Sequence, residues 1–302
     1  MPADATDTTG LTDPPDFITG AEIADRLDAL LTRAAALKAD RPVLGTDSLA
    51  GRSVAVIFEQ PSTRTRVSFE VGVAELGGTP IVLRSDELQI SRGESIGDIG
   101  RVMSRFVHAI AIRSLSHERV VELAGAADVP VINALTPLHH PCQAIADLQT
   151  LRERFGSLEG LRVAFVGDGN NVARSLALLG SAAGVEVVVS SPPDLELTDA
   201  PGAELIEDPR EAVAGADAIY TDVWFSMGEE AADLKRAALV PYRVDDALLS
   251  LAADHAVVLH CLPAHPGEEI SAEVLYGPRS AVFDQAENRL HAQKALLEML
   301  LN

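Results

Sequence analysis

Residues 54–69 read VAVIFEQPSTRTRVSF. Val54 to Phe58 form an apolar run of strand length, and Pro61 ends it. Ser62, Thr63 and Thr65 then supply three hydroxyls, and Arg64 and Arg66 two guanidiniums, before Val67, Phe69, Val71 and Val73 open a helix-compatible apolar run. A strand that passes through a Ser/Thr cap into a helix presents free backbone N–H groups and the positive end of the helix dipole, which together make an anion site. Arg64 adds a planar fork suited to phosphate oxygens. An ordinary capped helix with surface arginines would share the pattern.

Outward from this segment, strand and helix signals alternate. Apolar periodicity predicts strands over 53–58, 80–83, 109–112, 129–133, 162–166, 185–190, 218–221 and 257–260. It predicts helices over 21–37, 63–76, 96–106, 118–124, 144–154, 172–183, 207–213 and 287–301, with Gly77-Gly78 as the stop of the second. This alternation implies an α/β fold of two doubly wound domains, each a mostly parallel sheet with helices on both faces. The join falls near residues 145–155. Ligands in such sheets gather beyond the carboxyl ends of the strands.

The chain has 302 residues, of which 47% are hydrophobic, enough for two domains with substantial cores. Its formal charge of −21 argues against nucleic acid as a partner, because a phosphate backbone would be repelled. Among 24 cationic residues only Lys38, Lys235 and Lys294 are lysine; the other 21 are arginine. An acidic surface poor in lysine suits a high-salt cytoplasm, where self-repulsion is screened. Two cysteines, Cys142 and Cys261, make no disulfide framework and fit a reducing cytoplasmic setting. Residues 1–15 are polar and acidic, the expectation being a flexible tail and no secretory signal. No apolar run approaches the roughly 20 residues of a membrane span.

Several polar clusters follow predicted strand ends. Arg113 closes the run Ala109-Ile110-Ala111-Ile112, where a surface arginine is equally natural. His139-His140-Pro141-Cys142-Gln143 mixes imidazole, thiol and amide, but adjacent histidines with one cysteine lack metal-ligand spacing, and a hydrogen-bonding histidine on a loop is the better reading. Gly167-Asp168-Gly169-Asn170-Asn171 resembles half of a dinucleotide fingerprint; the next strand ends in Ser190-Ser191 rather than a ribose-binding acid, which argues against a nicotinamide enzyme. Asn171 offers an amide at the head of a helix. Asp222 and Ser226 in DVWFSMG suit an amino-acid ligand, while Trp224 is read as packing. Cys261 in HCLP is a nucleophile, a polar contact or a small buried side chain. Glu287-Asn288-Arg289 opens the last predicted helix.

Together, FEQPSTRTR, QISRGES (89–95), the Arg113 strand end, HPCQ, GDGNN, DVWFSMG, HCLP and AENR stand in the order and spacing of the transcarbamoylases. From about residue 17 to 300 the chain resembles an ornithine carbamoyltransferase. STRTR with HPCQ marks the superfamily; the SMG loop and HCLP favour the ornithine branch over the aspartate branch. The resemblance implies a carbamoyl phosphate-binding domain over 16–148, an ornithine-binding domain over 149–286, and a terminal helix over 287–302 packing back on the first. It implies a homotrimer or a multiple of trimers, and neither metal nor cofactor. Carbamoyl phosphate is expected to meet Ser62, Thr63, Arg64, Thr65, Gln89, Arg113, His140, Gln143, Cys261, Leu262 and Arg289, with Gln89 reaching across a subunit interface. Thr65, Arg113 and His140 would polarise the carbamoyl oxygen, Gln143 would hold the carbamoyl amide, and Cys261 would line the reacting centre. Asn171, Asp222, Ser226 and Met227 match the ornithine positions, and closure of the Trp224–Gly228 loop would exclude water. Arg66 is left without a ligand. Gln60 departs from the lysine usual before PSTRTR, and Ile99-Gly100 from Thr-Ala. A sister transcarbamoylase acting on putrescine or an N-acylated ornithine, and a non-catalytic phosphate-binding subunit, are the competing readings.

The charge distribution makes a prediction of its own: thermal stability and activity should rise from dilute buffer to molar KCl, read by melting curves and turnover across a salt series. Maxima in dilute buffer would refute a high-salt habitat.

Overall fold

The computed structural model describes residues 16–41, 47–84, 87, 93–199, 201–225 and 232–302. The apolar runs become two parallel sheets. The first holds β1 (Ser53–Phe58), β2 (Thr79–Arg84), β3 (Ala109–Arg113) and β4 (Val131–Leu135) in the order β2-β1-β3-β4. The second holds β5 (Arg162–Val166), β6 (Glu186–Ser190), β7 (Ala203–Leu205), β8 (Ala218–Thr221) and β9 (Val257–His260) in the order β7-β6-β5-β8-β9. β3 is buried throughout and β1 from Val54 onward, as unbroken apolar strands covered on both faces require. In each sheet the chain reverses direction of travel beside the first strand, between β1 and β3 and between β5 and β8. There the carboxyl ends diverge and leave a crevice.

The helices are α1 (Leu27–Ala39), α2 (Thr63–Glu75), α3 (Ile96–Met103), α4 (His117–Ala126), α5 (Pro141–Phe155), α6 (Asn171–Ala182), α7 (Pro209–Val213), α8 (Asp233–Leu239), α9 (Asp246–Leu249), α10 (Ala272–Leu275) and α11 (Val282–Leu301). α5 joins the sheets and is buried from Pro141 to Leu151. α11 packs against α1, α2 and α5. One apolar cluster runs from Val54 and Val56 of the first sheet through Ile145, Leu148 and Leu296 to Val163 and Phe165 of the second. The three lysines tie helices and loops together: Lys38 with Glu153, Lys235 with Asp168 and Lys294 with Glu75, each at 2.9 Å.

Several boundaries differ from the sequence expectation by a few residues, and four of these differences bear on the site or its supports. Residues 21–26 form a 3-10 helix ahead of α1, where Glu22 accepts from the backbone N–H groups of Thr19 and Gly20 and tightens the turn. β4 runs two residues further, to Leu135, because Pro130 delays its start. α5 begins at Pro141, a residue preorganised for the first helical position, so HPCQ is a helix start rather than a loop. α11 begins at Val282, five residues before the expected start, which places Arg289 in its second turn and buried at 4% exposure.

Two glycines are dictated by geometry. Gly77 ends α2 with φ 81, the left-handed conformation that glycine adopts without strain. A Cβ on Gly169 would sit 2.4 Å from Leu197 N and 2.6 Å from Leu195 O, so only glycine lets residues 195–197 pass. Gly169→Ala should therefore cost about 1–3 kcal/mol through displaced backbone, seen as a lowered urea midpoint with an unchanged m-value.

Candidate active site

Ser62 has extended backbone, and its Oγ accepts from Thr65 N at 3.3 Å, capping α2. The turn that follows β1 therefore points the first N–H groups of α2 into the crevice at the β1/β3 switch. Arg113, the last residue of β3, pairs in register with Phe58 and reaches the same crevice. Glu59 secures that juncture: its carboxylate accepts from Ser114 Oγ and Leu115 N at 2.8 Å each and from the Arg119 guanidinium. His140 is the N-cap residue of α5, with its backbone N–H donated to Ser175 Oγ at 2.7 Å.

The second sheet supplies the opposite wall. Asn170 caps α6 with its carbonyl and donates its amide to Asp222 Oδ2 at 2.8 Å, just beyond β8. Asn171 Nδ2 donates to Thr136 O at 2.6 Å, tying α6 to the loop after β4. After β9, Cys261 Sγ donates to Asp222 Oδ1 at 2.8 Å, and Leu262 O accepts from Arg64 across the crevice. Behind Cys261, His260 accepts from Leu262 N at Nδ1 (2.9 Å) and faces the buried Glu269 at Nε2 (3.0 Å). Since Nδ1 accepts, Nε2 carries the proton. From α11, Arg289 donates to Gln143 Oε1 at 2.7 Å and Thr65 Oγ1 at 3.4 Å.

These walls enclose a cleft of about 440 Å³. It brings together Ser62, Thr63, Arg64, Thr65, Arg113, His140, Asn171, Asp222, Cys261, Leu262 and Arg289, all named from sequence. Gln143 lies just behind the lining, reached through Arg289. Gln89, Ser226 and Met227 lie outside the described residues. Trp224 packs at 1% exposure, and Arg66 pairs with Glu70 at 3.2 Å on the surface. Gln60 also lines the cleft, so the charge missing from the family pattern is missing at its rim. Sequence reasoning passed over Glu59 and Asn170, although both stand beside the motifs it used.

The cleft carries three guanidiniums, with Arg113 and Arg289 buried and Arg64 exposed at its mouth. Burial, then Arg289, pushes the Arg113 guanidinium down to about 10, with Cys261 opposing; it remains charged at neutral pH. Burial holds His140 well below the usual imidazole range, helped by Arg289, Arg113 and Arg64, so it is neutral and carries a single ring N–H. Burial and then the Asp222 carboxylate drive the Cys261 thiol well above its ordinary value, which makes it a hydrogen-bond donor and not a thiolate. Among the described residues, Asp222, His260 and Cys261 gather potential ligand atoms within 4.8 Å, but both His260 nitrogens are already engaged. Another such group, His265, Glu268 and Glu269, lies behind the loop. His139, His140 and Cys142 form no such group among the described residues.

Two parallel sheets whose switch points share one anion-binding cleft define a two-substrate α/β transferase. Residues 16–153 match the aspartate/ornithine carbamoyltransferase carbamoyl-P binding domain, and residues 159–300 the Asp/Orn binding domain. The chain belongs to the aspartate/ornithine carbamoyltransferase family. It is 54% identical over 292 residues to an ornithine carbamoyltransferase of Acidothermus cellulolyticus, covering 91% of this chain and 92% of the relative. A relative of the same name from Archaeoglobus fulgidus is 51% identical over 288 residues, covering 92% and 94%. The solved ornithine carbamoyltransferase of Pyrococcus furiosus superposes with a TM-score of 0.91 at 43% identity, covering 95% and 97%. That of Thermus thermophilus gives 0.86 at 44%, covering 92% and 96%.

The state of Cys261 is testable. Because its pKa is raised, its thiolate fraction stays below that of a free cysteine at every pH up to the ordinary thiol range. Alkylation by iodoacetamide at pH 8, followed by peptide mass spectrometry, should be slower than for free cysteine and should quicken only at higher pH. Fast labelling at pH 7 would contradict a protonated thiol.

Proposed function

We propose that the chain transfers the carbamoyl group of carbamoyl phosphate to the δ-amine of L-ornithine, giving L-citrulline and phosphate in arginine metabolism. The observation that carries this reading is the facing of two unlike walls. One holds the α2 terminus with Arg64 and Arg113; the other holds Asp222, Asn171 and Cys261. The first wall suits a phosphate and the second an amino acid.

The phosphate sits on Ser62, Thr63, Arg64 and the N–H groups of α2. The carbamoyl oxygen points to Thr65, Arg113 and neutral His140, and Gln143 holds the carbamoyl amide. The ornithine α-amino group pairs with Asp222, with Asn171, Ser226 and Met227 completing that subsite. The neutral δ-amine attacks the carbamoyl carbon. The oxyanion that forms gains fixed donors from Arg113, His140 and Thr65 as charge develops on it. The C–O bond to phosphate then breaks as the attacking nitrogen gives up its extra proton to a phosphate oxygen, and the leaving phosphate is already paired with Arg64 and the α2 dipole. Holding two substrates in one cleft supplies much of the acceleration. A protonated Cys261 serves as a polar contact, and no covalent enzyme intermediate is needed.

The same reading extends to the assembly and setting. The protein works as a homotrimer or a multiple of trimers, with Gln89 completing a neighbour's cleft, in a salt-rich cytoplasm. Exposed Val67, Phe106, Leu115 and Val121 on the first domain, and the charge of −21, support it. No described helix is long and apolar enough to cross a membrane.

Consumption of carbamoyl phosphate should be fast with ornithine and slow with putrescine, N-acetylornithine and aspartate. Preference for putrescine or the acylated amine would replace ornithine with the sister reading. Arg64→Ala and Arg113→Ala should each lower kcat/KM at least about 10²-fold while leaving the circular dichroism spectrum and melting cooperativity unchanged. Near-normal citrulline production by either variant would remove that arginine from the reaction.

A further inference from the structure

Gln143 and Asp147 lie one turn apart on α5, and Gln143 Nε2 donates to Asp147 Oδ1 at 2.7 Å. The same oxygen accepts from Gln285 Nε2 of α11 at 2.7 Å and from the hydroxyl of Tyr220 on β8 at 3.3 Å. Asp147 is fully buried, and its Oδ2 makes no hydrogen bond among the described residues. One carboxylate oxygen thus gathers donors from the joining helix, the second sheet and the terminal helix.

The consequence lies at the far ends of the two amides. A glutamine amide reversed end for end has almost the same shape, so only its neighbours decide which way it faces. Both nitrogens are committed to Asp147. Gln143 Oε1 is therefore turned to Arg289 Nη1 at 2.7 Å, and Gln285 Oε1 to the backbone N–H of His260 at 2.8 Å. His260 begins the turn that carries Cys261 and Leu262. Oδ1 accepts whether or not Oδ2 bears a proton, so the direction of both amides does not depend on the charge of Asp147. The hydrogen bonds run donor to acceptor from Arg289 into Gln143 and from Gln143 into Asp147, and a reversed Gln143 would set two donors against each other at Arg289.

We propose that Asp147 is a positioning residue for carbamoyl transfer. It holds the carbonyl of Gln143 toward Arg289 and the carbamoyl group, and through Gln285 it sets the backbone from which Cys261 and Leu262 project. The inference rests on the reading of Gln143 as the carbamoyl contact.

Asp147→Ala removes the shared acceptor, which frees the Gln143 amide to reverse, whereas an Asn would keep its carbonyl on the three donors. In the full-length enzyme, kcat/KM for carbamoyl phosphate should fall about 10- to 100-fold, the scale of losing one or two hydrogen bonds involving a charged group. The competitive inhibition constant of inorganic phosphate, held by the α2 terminus, should move less than about threefold, within the scatter expected for a site not directly altered. Tyr220→Phe removes a donor to Asp147 without touching Gln143 and should leave both constants within the same limit.

An Ala variant that uses carbamoyl phosphate normally would overturn the inference. So would a parallel loss of phosphate affinity, or an equal loss in Tyr220→Phe, since either would place the effect in domain packing. Should Asp147→Ala not fold, Asp147→Ser carries the same test. Failure of both to fold makes Asp147 a stability residue and overturns the assignment. Gln143→Ala run alongside separates the two claims. If it spares carbamoyl phosphate use, the Gln143 reading falls; if it impairs that use while Asp147→Ala does not, only the Asp147 inference falls.

Discussion

Repulsion among Arg64, Arg113 and Arg289 is the constraint around which the cleft is arranged. Three guanidiniums in a space of about 440 Å³, beside the positive end of α2, would be costly in any protein. Burial is the larger cause of the lowered affinity of Arg113 for its proton and of the neutrality of His140, and the neighbouring guanidiniums add to it. A dianionic ligand removes the cost on arrival. The cationic donors already stand where charge develops on the carbamoyl oxygen and so need no reorganisation.

The acceptors that keep this cluster together without a ligand come from every part of the fold. Leu262 O takes Arg64 from the end of β9, Thr65 and Gln143 take Arg289 from α2 and α5, and Asp222 stands opposite with Cys261 and Asn170. Each acceptor is fixed by something else: the Leu262 backbone by His260 and Glu269, Asp222 by two donors, Gln143 by Asp147. The site is rigid because its hydrogen bonds form a continuous set anchored in both sheets. The apolar cluster through α5, α6 and α11 makes the two domains share one interior behind it.

Most of the fold was legible because continuous apolar runs with capped turns admit few alternatives. β1, β5, β8 and β9 fall where the residues predict them. Three-residue β7 escaped because Glu204 and Leu205 are exposed and show no period. The start of α5 was readable from Pro141, whose place at the first turn is a known helix signal. The early start of α11 was not, since Phe283 faces solvent and Gln285 is buried, against their polarity. At the site, residues beside a strand end declared themselves. Partners that meet only through tertiary structure did not: Tyr220 and Gln285 are 73 and 138 positions from Asp147, and nothing local joins them.

The scarcity of lysine has a meaning beyond surface charge. An activated carbamoyl donor reacts with any free primary amine it meets, and lysine side chains are the usual casualties. Here the three lysine amines are each held 2.9 Å from a carboxylate, with side chains no more than 25% exposed, and none of them lines the cleft. Arginine carries the remaining positive charge in a form that is always protonated and a poor nucleophile. The protein has thus arranged its cations so that the substrate's amine, and not its own, is the one available to be acylated.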